Sequence, residues 1–196
     1  MGTWKGIVGA SFSPAGFDKY CHSLNWSQWR PSFVALHNTA IPSLKQRPEG
    51  LSHQHILGLE HYYRDVVDEH KKEKWNAGPH LFVDDRQIWV FTPLTVSGVH
   101  SPCFNKVALG VEMLGNYDTE AFDTGRGRLV QNNAVAALAS LHAVLGLDPA
   151  TLRLHKEDVC TTHKGCPGKN VKKAAIIAQV QALLQARHPG GHLPPA

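Results

Sequence analysis

The amino-acid sequence predicts a single α/β domain in which a central, mixed β-sheet is packed by helices. Three observations predict it. Short apolar runs that read as strands alternate with longer stretches of helical periodicity. The chain has 196 residues, of which 42% are hydrophobic and 18% charged, the balance of one domain with a real core. No apolar run approaches the roughly 18–20 residues needed to cross a bilayer, and no repeat or low-complexity tract interrupts the pattern.

Residues 1–31 are rich in Ser, Gly and Trp (Trp4, Trp26, Trp29) without clear periodicity, and read as an irregular lead-in to a domain spanning 32–188. Phe33-Val34-Ala35-Leu36 is a short apolar run, expected to be a buried strand that delivers His37 at its end. Pro42, Pro48 and Gly50 mark a loop. Ser52 then caps a helix in which Ile56, Leu59, Tyr63 and Val66 form the apolar face, with Glu60, Arg64, Asp68 and Lys71 opposite. Strands are expected over 80–83 and 87–91, joined by the polar turn Asp84-Asp85-Arg86. Another runs from Val107 to Glu112, after a loop containing Pro102 and Asn105. From Arg128 a long helix aligns Val130, Ala134, Ala137, Leu141 and Leu145, and Gly146 stops it. Leu152 and Leu154 alternate in a strand ending at His155. Asn170 is expected to cap a last helix carrying Ile177, Val180 and Leu184, and a disordered tail follows over 189–196.

Twenty Lys and Arg against 16 Asp and Glu leave a net charge of +4, with the signs interspersed. That mild excess suits an anionic polymer partner and carries no nucleic-acid signature. The N-terminus leads into no sustained apolar stretch, so no cleaved signal peptide and no membrane insertion are expected, and the chain reads as cytoplasmic when synthesised. Cys21, Cys103, Cys160 and Cys166 are widely spaced with no Cys-x-x-Cys pair. Neither a disulfide framework nor a zinc ribbon is indicated, and the thiols are expected to be reduced.

Thirteen histidines are many for this length. His37, Glu112 and His155 stand at the ends of apolar runs, where a sheet presents side chains to a cleft. The segment from His155 to Gly168 adds His163, Lys164 and Cys166 before a Pro-Gly turn. A catalytic zinc takes three protein ligands and keeps one position open. Two imidazoles and one thiolate would meet that need, with His163 competing with Cys166 for the third place. By contrast, His53, His55, His61 and His70 belong to the solvated surface of the first helix, and His142 reads as structural. Cys21, Cys103 and Cys160 receive no role.

His37-Asn38-Thr39, Gly78-Pro79-His80, Gly110-Val111-Glu112 and Lys164-Gly165-Cys166-Pro167-Gly168 together resemble the motif set of the type-2 N-acetylmuramoyl-L-alanine amidases, a family of zinc enzymes related to phage amidase-type lysozymes and peptidoglycan recognition proteins. The resemblance covers roughly residues 33–185. It implies His37, His155 and Cys166 as ligands of one zinc ion per chain. It implies Glu112 as general base to the attacking water, and Lys164 as a helper that stabilises the oxyanion. Pro79 stands where some members have Tyr, and Glu112 places the chain with the glutamate-using branch. His80 and His100, the latter in Ser97-Gly98-Val99-His100, are implied to border the substrate groove. The implied reaction is hydrolysis of the amide between the muramic acid lactyl group and L-alanine, in peptidoglycan or a soluble muropeptide. Its setting would be muropeptide recycling or wall lysis by a phage or prophage endolysin. The alternatives are a peptidoglycan-binding module without catalysis and a zinc hydrolase acting within the stem peptide.

Overall fold

The run that begins at Phe33 has no polar residue before His37, so as a strand it must be covered on both faces. In the computed structural model, which describes residues 3–65 and 74–187, it is β2 (Phe33–Asn38), and Val34, Ala35, Leu36 and His37 are all buried. It lies between β5 (Ala108–Met113) and β6 (Arg153–Leu154), parallel to both. β3 (Leu81–Val83) runs parallel to the other side of β5. β4 (Ile88–Val90) and β1 (Ala10–Phe12) complete the sheet in antiparallel sense. The order is β1-β4-β3-β5-β2-β6, a mixed six-stranded sheet. The β3–β4 turn is tied by Asp84, whose carboxylate accepts the amides of Arg86 and Gln87, both at 2.7 Å.

Four helices pack this sheet: α1 (Pro14–Ser23), α2 (His53–Asp65), α3 (Gly125–Leu145) and α4 (Lys173–Arg187). α3 is buried over most of its length and sits between α1 and α4. Each fully buried Leu or Val there contributes about 1.5–3 kcal/mol of transfer free energy. Gly146 caps it as expected. Ser52 Oγ accepts the His55 amide at 3.3 Å, the expected cap of α2. Among the described residues, no helix is long and apolar enough to cross a membrane.

Two expectations change. Residues 1–31 are not irregular: they contain β1 and α1. Here the helix is marked by its start, where Ser13 Oγ accepts the Gly16 amide and Pro14 occupies the first turn, and its buried face is only Phe17 and Cys21. Asn170 does not cap α4. Its side-chain amide donates to the Glu120 carbonyl at 2.8 Å, and the helix starts at Lys173. Val66, Asp68, His70, Lys71 and the tail 189–196 lie outside the described residues.

Candidate active site

Parallel neighbours end at the same edge of a sheet, so whatever follows β2, β5 and β6 is gathered there. The register pairs His37 with Glu112 and Glu112 with Phe82, placing the three on one face. Leu36 pairs with Leu154, so His155, the next residue, arrives beside His37. The two rings lie 4.3 Å apart between centroids. The loop after His155 is closed by the Lys156 amide, which donates to the Cys166 carbonyl at 3.0 Å. Closure brings Cys166 back to both histidines: one ligand atom from each of His37, His155 and Cys166 lies within 4.8 Å of the others.

Burial dominates the electrostatics. It holds His37 well below the usual histidine range and His155 at about 4. It pushes the Glu112 carboxyl up to about 8 and the Cys166 thiol up to about 12, the latter aided by the Glu112 charge. Glu112 Oε1 stands 3.8 Å from His37 Nδ1, too far for a hydrogen bond. His37 Nδ1 is therefore a buried nitrogen with no protein partner. His155 Nε2 is engaged by Thr161 Oγ1 at 2.9 Å, which leaves its Nδ1 available.

This donor set fits zinc. An orphaned imidazole nitrogen, a second imidazole with its far nitrogen anchored and a thiol that a cation would deprotonate match the ligand chemistry of a three-residue site. His163 is not part of the group. Its exposed ring lies 5.4 Å from that of His155. Lys164 is exposed, and its ammonium donates to the Asp158 carbonyl at 3.1 Å. On the face shared by Glu112 and Phe82, a cavity of about 210 Å³ opens between the sheet and α2, lined by Thr39, Arg47, Gln54, His55 and Phe82 among others.

The two histidines expected at the groove wall have both ring nitrogens engaged within the protein. His80 has 0% exposure; its Nε2 bonds the Val96 carbonyl at 2.9 Å, its Nδ1 accepts the Gly110 amide at 3.0 Å, and its ring stacks on Trp29. His100 also spends both ring nitrogens inside the protein, on His37 Nε2 at 3.0 Å and the Ala108 carbonyl at 3.1 Å.

The expectation of reduced thiols is corrected for one pair. Cys103 and Cys160 form a disulfide, while Cys21 and Cys166 are free. The partners are 57 residues apart in sequence. They are brought together by buried Asp158, whose carboxylate accepts the Cys160 amide at 2.7 Å, the Cys103 amide at 3.0 Å and the Ser101 hydroxyl. Sequence reasoning missed both Asp158 and Thr161. Neither periodicity nor spacing separates Thr161 from its neighbour Thr162, since the distinction is only which hydroxyl faces His155.

A mixed sheet with a His/His/Cys cluster gathered at the shared end of its parallel strands defines an α/β protein with a group of three side chains that could hold a metal ion. Residues 27–169 match the family model described as N-acetylmuramoyl-L-alanine amidase, and the chain belongs to that family. No curated protein matches it in sequence at a significant level. Among solved structures, it is similar to the endolysin N-acetylmuramoyl-L-alanine amidase LysCS of Clostridium intestinale, with 19% identity, a TM-score of 0.54, and 81% of this chain and 92% of that chain covered. A mutant endolysin from Bacillus subtilis gives 23% identity and a TM-score of 0.58 over 78% of this chain and 87% of that one. A mutant of Drosophila PGRP-LB in complex with tracheal cytotoxin gives 19% and 0.55 over 79% and 84%. At these identities the likeness is one of fold.

Proposed function

We propose that the protein is a zinc-dependent amidase that hydrolyses the bond between the muramic acid lactyl group and L-alanine of peptidoglycan. The observation that carries this reading is the convergence of His37, His155 and Cys166, with His37 Nδ1 unpartnered and the Glu112 carboxyl 3.8 Å from it. Zinc bound by these three residues would supply Lewis acidity at the scissile carbonyl and lower the pKa of water toward ~7. Glu112 takes the proton of the attacking water and passes it to the departing L-alanine amine. Burial alone raises its pKa to about 8, and the cation would lower it again, so that the carboxylate is free to take that proton. Lys164, tethered through the Asp158 carbonyl, brings its positive charge to the loop beside His155, where it helps hold the oxyanion. The cavity along α2 gives the substrate room on the Glu112 face of the sheet.

Membership of the amidase family and the fold shared with endolysins support peptidoglycan as the substrate. The Cys103–Cys160 disulfide supports action in an oxidising compartment, as at a cell wall reached on lysis. The test is digestion of purified sacculi followed by mass spectrometry, alongside metal analysis of the protein. The expected result is about one zinc per chain, stem peptides with a free L-alanine amine, loss of activity with chelator and recovery with zinc. New reducing sugar ends, or cleavage confined to bonds within the stem, would overturn the assignment; tight binding to sacculi with no cleavage would leave a recognition module. Running soluble muropeptides in parallel separates wall lysis from fragment recycling.

A further inference from the structure

The hydrogen bonds behind His37 run in one direction. They begin at the Ala108 carbonyl, which can only accept, so the His100 nitrogen 3.1 Å from it, Nε2, carries a proton. Neither ring has a carboxylate within hydrogen-bond distance, and an unpaired buried imidazolium is costly, so each ring holds a single proton. His100 Nδ1 is then a lone pair, and His37 Nε2, 3.0 Å away, must donate to it. His37 is left with its own lone pair on Nδ1, the buried atom that no protein group satisfies.

We propose that His100 is a positioning residue that fixes His37 as the Nε2-protonated tautomer and so makes Nδ1 its metal-binding atom. Two neighbouring features serve the same end. Asn105 Oδ1 accepts the backbone amides of His100 and Ser101 at 2.7 and 2.8 Å, setting the loop from which the ring projects. Gly110 leaves the space the ring occupies, since a Cβ there would lie 2.4 Å from His100 Cγ. The assignment gives His100 a role behind the metal site in place of contact with substrate. Such groups orient a ligand and raise its basicity, and their loss typically costs roughly 10–100-fold in metal affinity.

The inference rests on the zinc reading for its purpose, so the decisive experiment starts without metal. Ring nitrogen NMR of metal-free wild type, labelled at histidine, is expected to show His37 protonated on Nε2 and bare on Nδ1. A proton on Nδ1 overturns the proposal whether or not the protein binds zinc; failure to bind zinc sinks the amidase reading and leaves the tautomer to be judged separately. His100→Phe fills the space without offering an acceptor, and is expected to mix the His37 tautomers and weaken zinc binding by roughly 10–100-fold in chelator competition. His100→Asn returns an acceptor oxygen near the Nδ1 position and is expected to recover most of that loss, a rescue that a merely space-filling role would not give. Unchanged zinc affinity in His100→Phe, with only KM for muropeptide raised, would return His100 to the substrate groove.

Discussion

A carboxyl group at the end of a buried strand resists ionisation unless a positive charge is near, and the upward shift of Glu112 to about 8 is that resistance. The His37 ring nitrogen 3.8 Å from it belongs to a ring that burial keeps neutral, and no other charge offsets the shift, so the protein itself does not supply the charge. A dication held by His37, His155 and Cys166 would, and the carboxylate would then stand ready as a base. Glu112→Gln keeps the shape and removes the proton acceptor. It is expected to bind zinc as wild type does while losing roughly 100- to 10,000-fold in turnover, measured by metal analysis and by amide cleavage on the same preparation. Loss of the metal in that variant would make Glu112 a ligand and leave the reaction without its base.

At the scale of elements, the site depends on how two loops are tied. One runs from His100 to the start of β5, and the other from His155 to Cys166. Asp158 and the Cys103–Cys160 disulfide join them. Closing a loop with a sequence separation of 57 removes enough unfolded-state entropy to be worth about 4 kcal/mol on the chain-entropy model. Replacing both cysteines by serine should therefore lower unfolding free energy by up to about that amount in urea titration, and should weaken zinc retention by loosening the segment that carries Thr161 and Cys166. A double variant as stable as wild type would mean that Asp158 alone secures the loops. The same contrast explains what could be read before the structure. β2, β5 and α3 were legible because each is a buried run whose apolar spacing belongs to one kind of element; His37 and Glu112 followed from the two strands, and His155 from the alternation of Leu152 and Leu154. α1 was not, because only Phe17 and Cys21 face the core and its signal is a single Ser-Pro start. The disulfide was not, because nothing in Cys103 or Cys160 announces a partner 57 residues away. The partners of the His80 and His100 rings were not, because a motif places a residue along the chain and leaves open which side of a loop its ring takes.

Across the whole molecule, several histidines are enclosed as neutral groups, and this links the fold to pH. His80 is fully buried, and burial, with smaller contributions from His100 and Lys5, takes it down to about 3 against a partial upward pull from its bond to the Val96 carbonyl. His142, at 1% exposure with Nδ1 on the Leu138 carbonyl at 2.8 Å, is lowered by burial too. In the unfolded chain both would take up a proton near 6.5. Below that pH the unfolded state binds more protons than the folded one, so stability is full above about 6.5 and falls as the solution is acidified; for His80 the fall continues toward 3. Each such histidine contributes a slope of up to about 1.4 kcal/mol per pH unit in its window. Asp18, Glu157 and Asp158 have lowered pKa values, so their stabilisation is lost only below the ordinary carboxylate range, as pH falls through their folded values. Acid unfolding should therefore start in the histidine window, before the carboxylates act. Urea midpoints of metal-free protein should decline from pH 7 to pH 5, because the buried histidines held low outweigh Glu112, whose raised carboxyl pulls the other way over this range. His80→Gln should be less stable than wild type at pH 7, from the packing and hydrogen bonds it loses, with a deficit that shrinks at pH 5 because glutamine has no proton to gain. A deficit that stays constant over that range would show that His80 is not the neutral buried group on which this pH dependence rests.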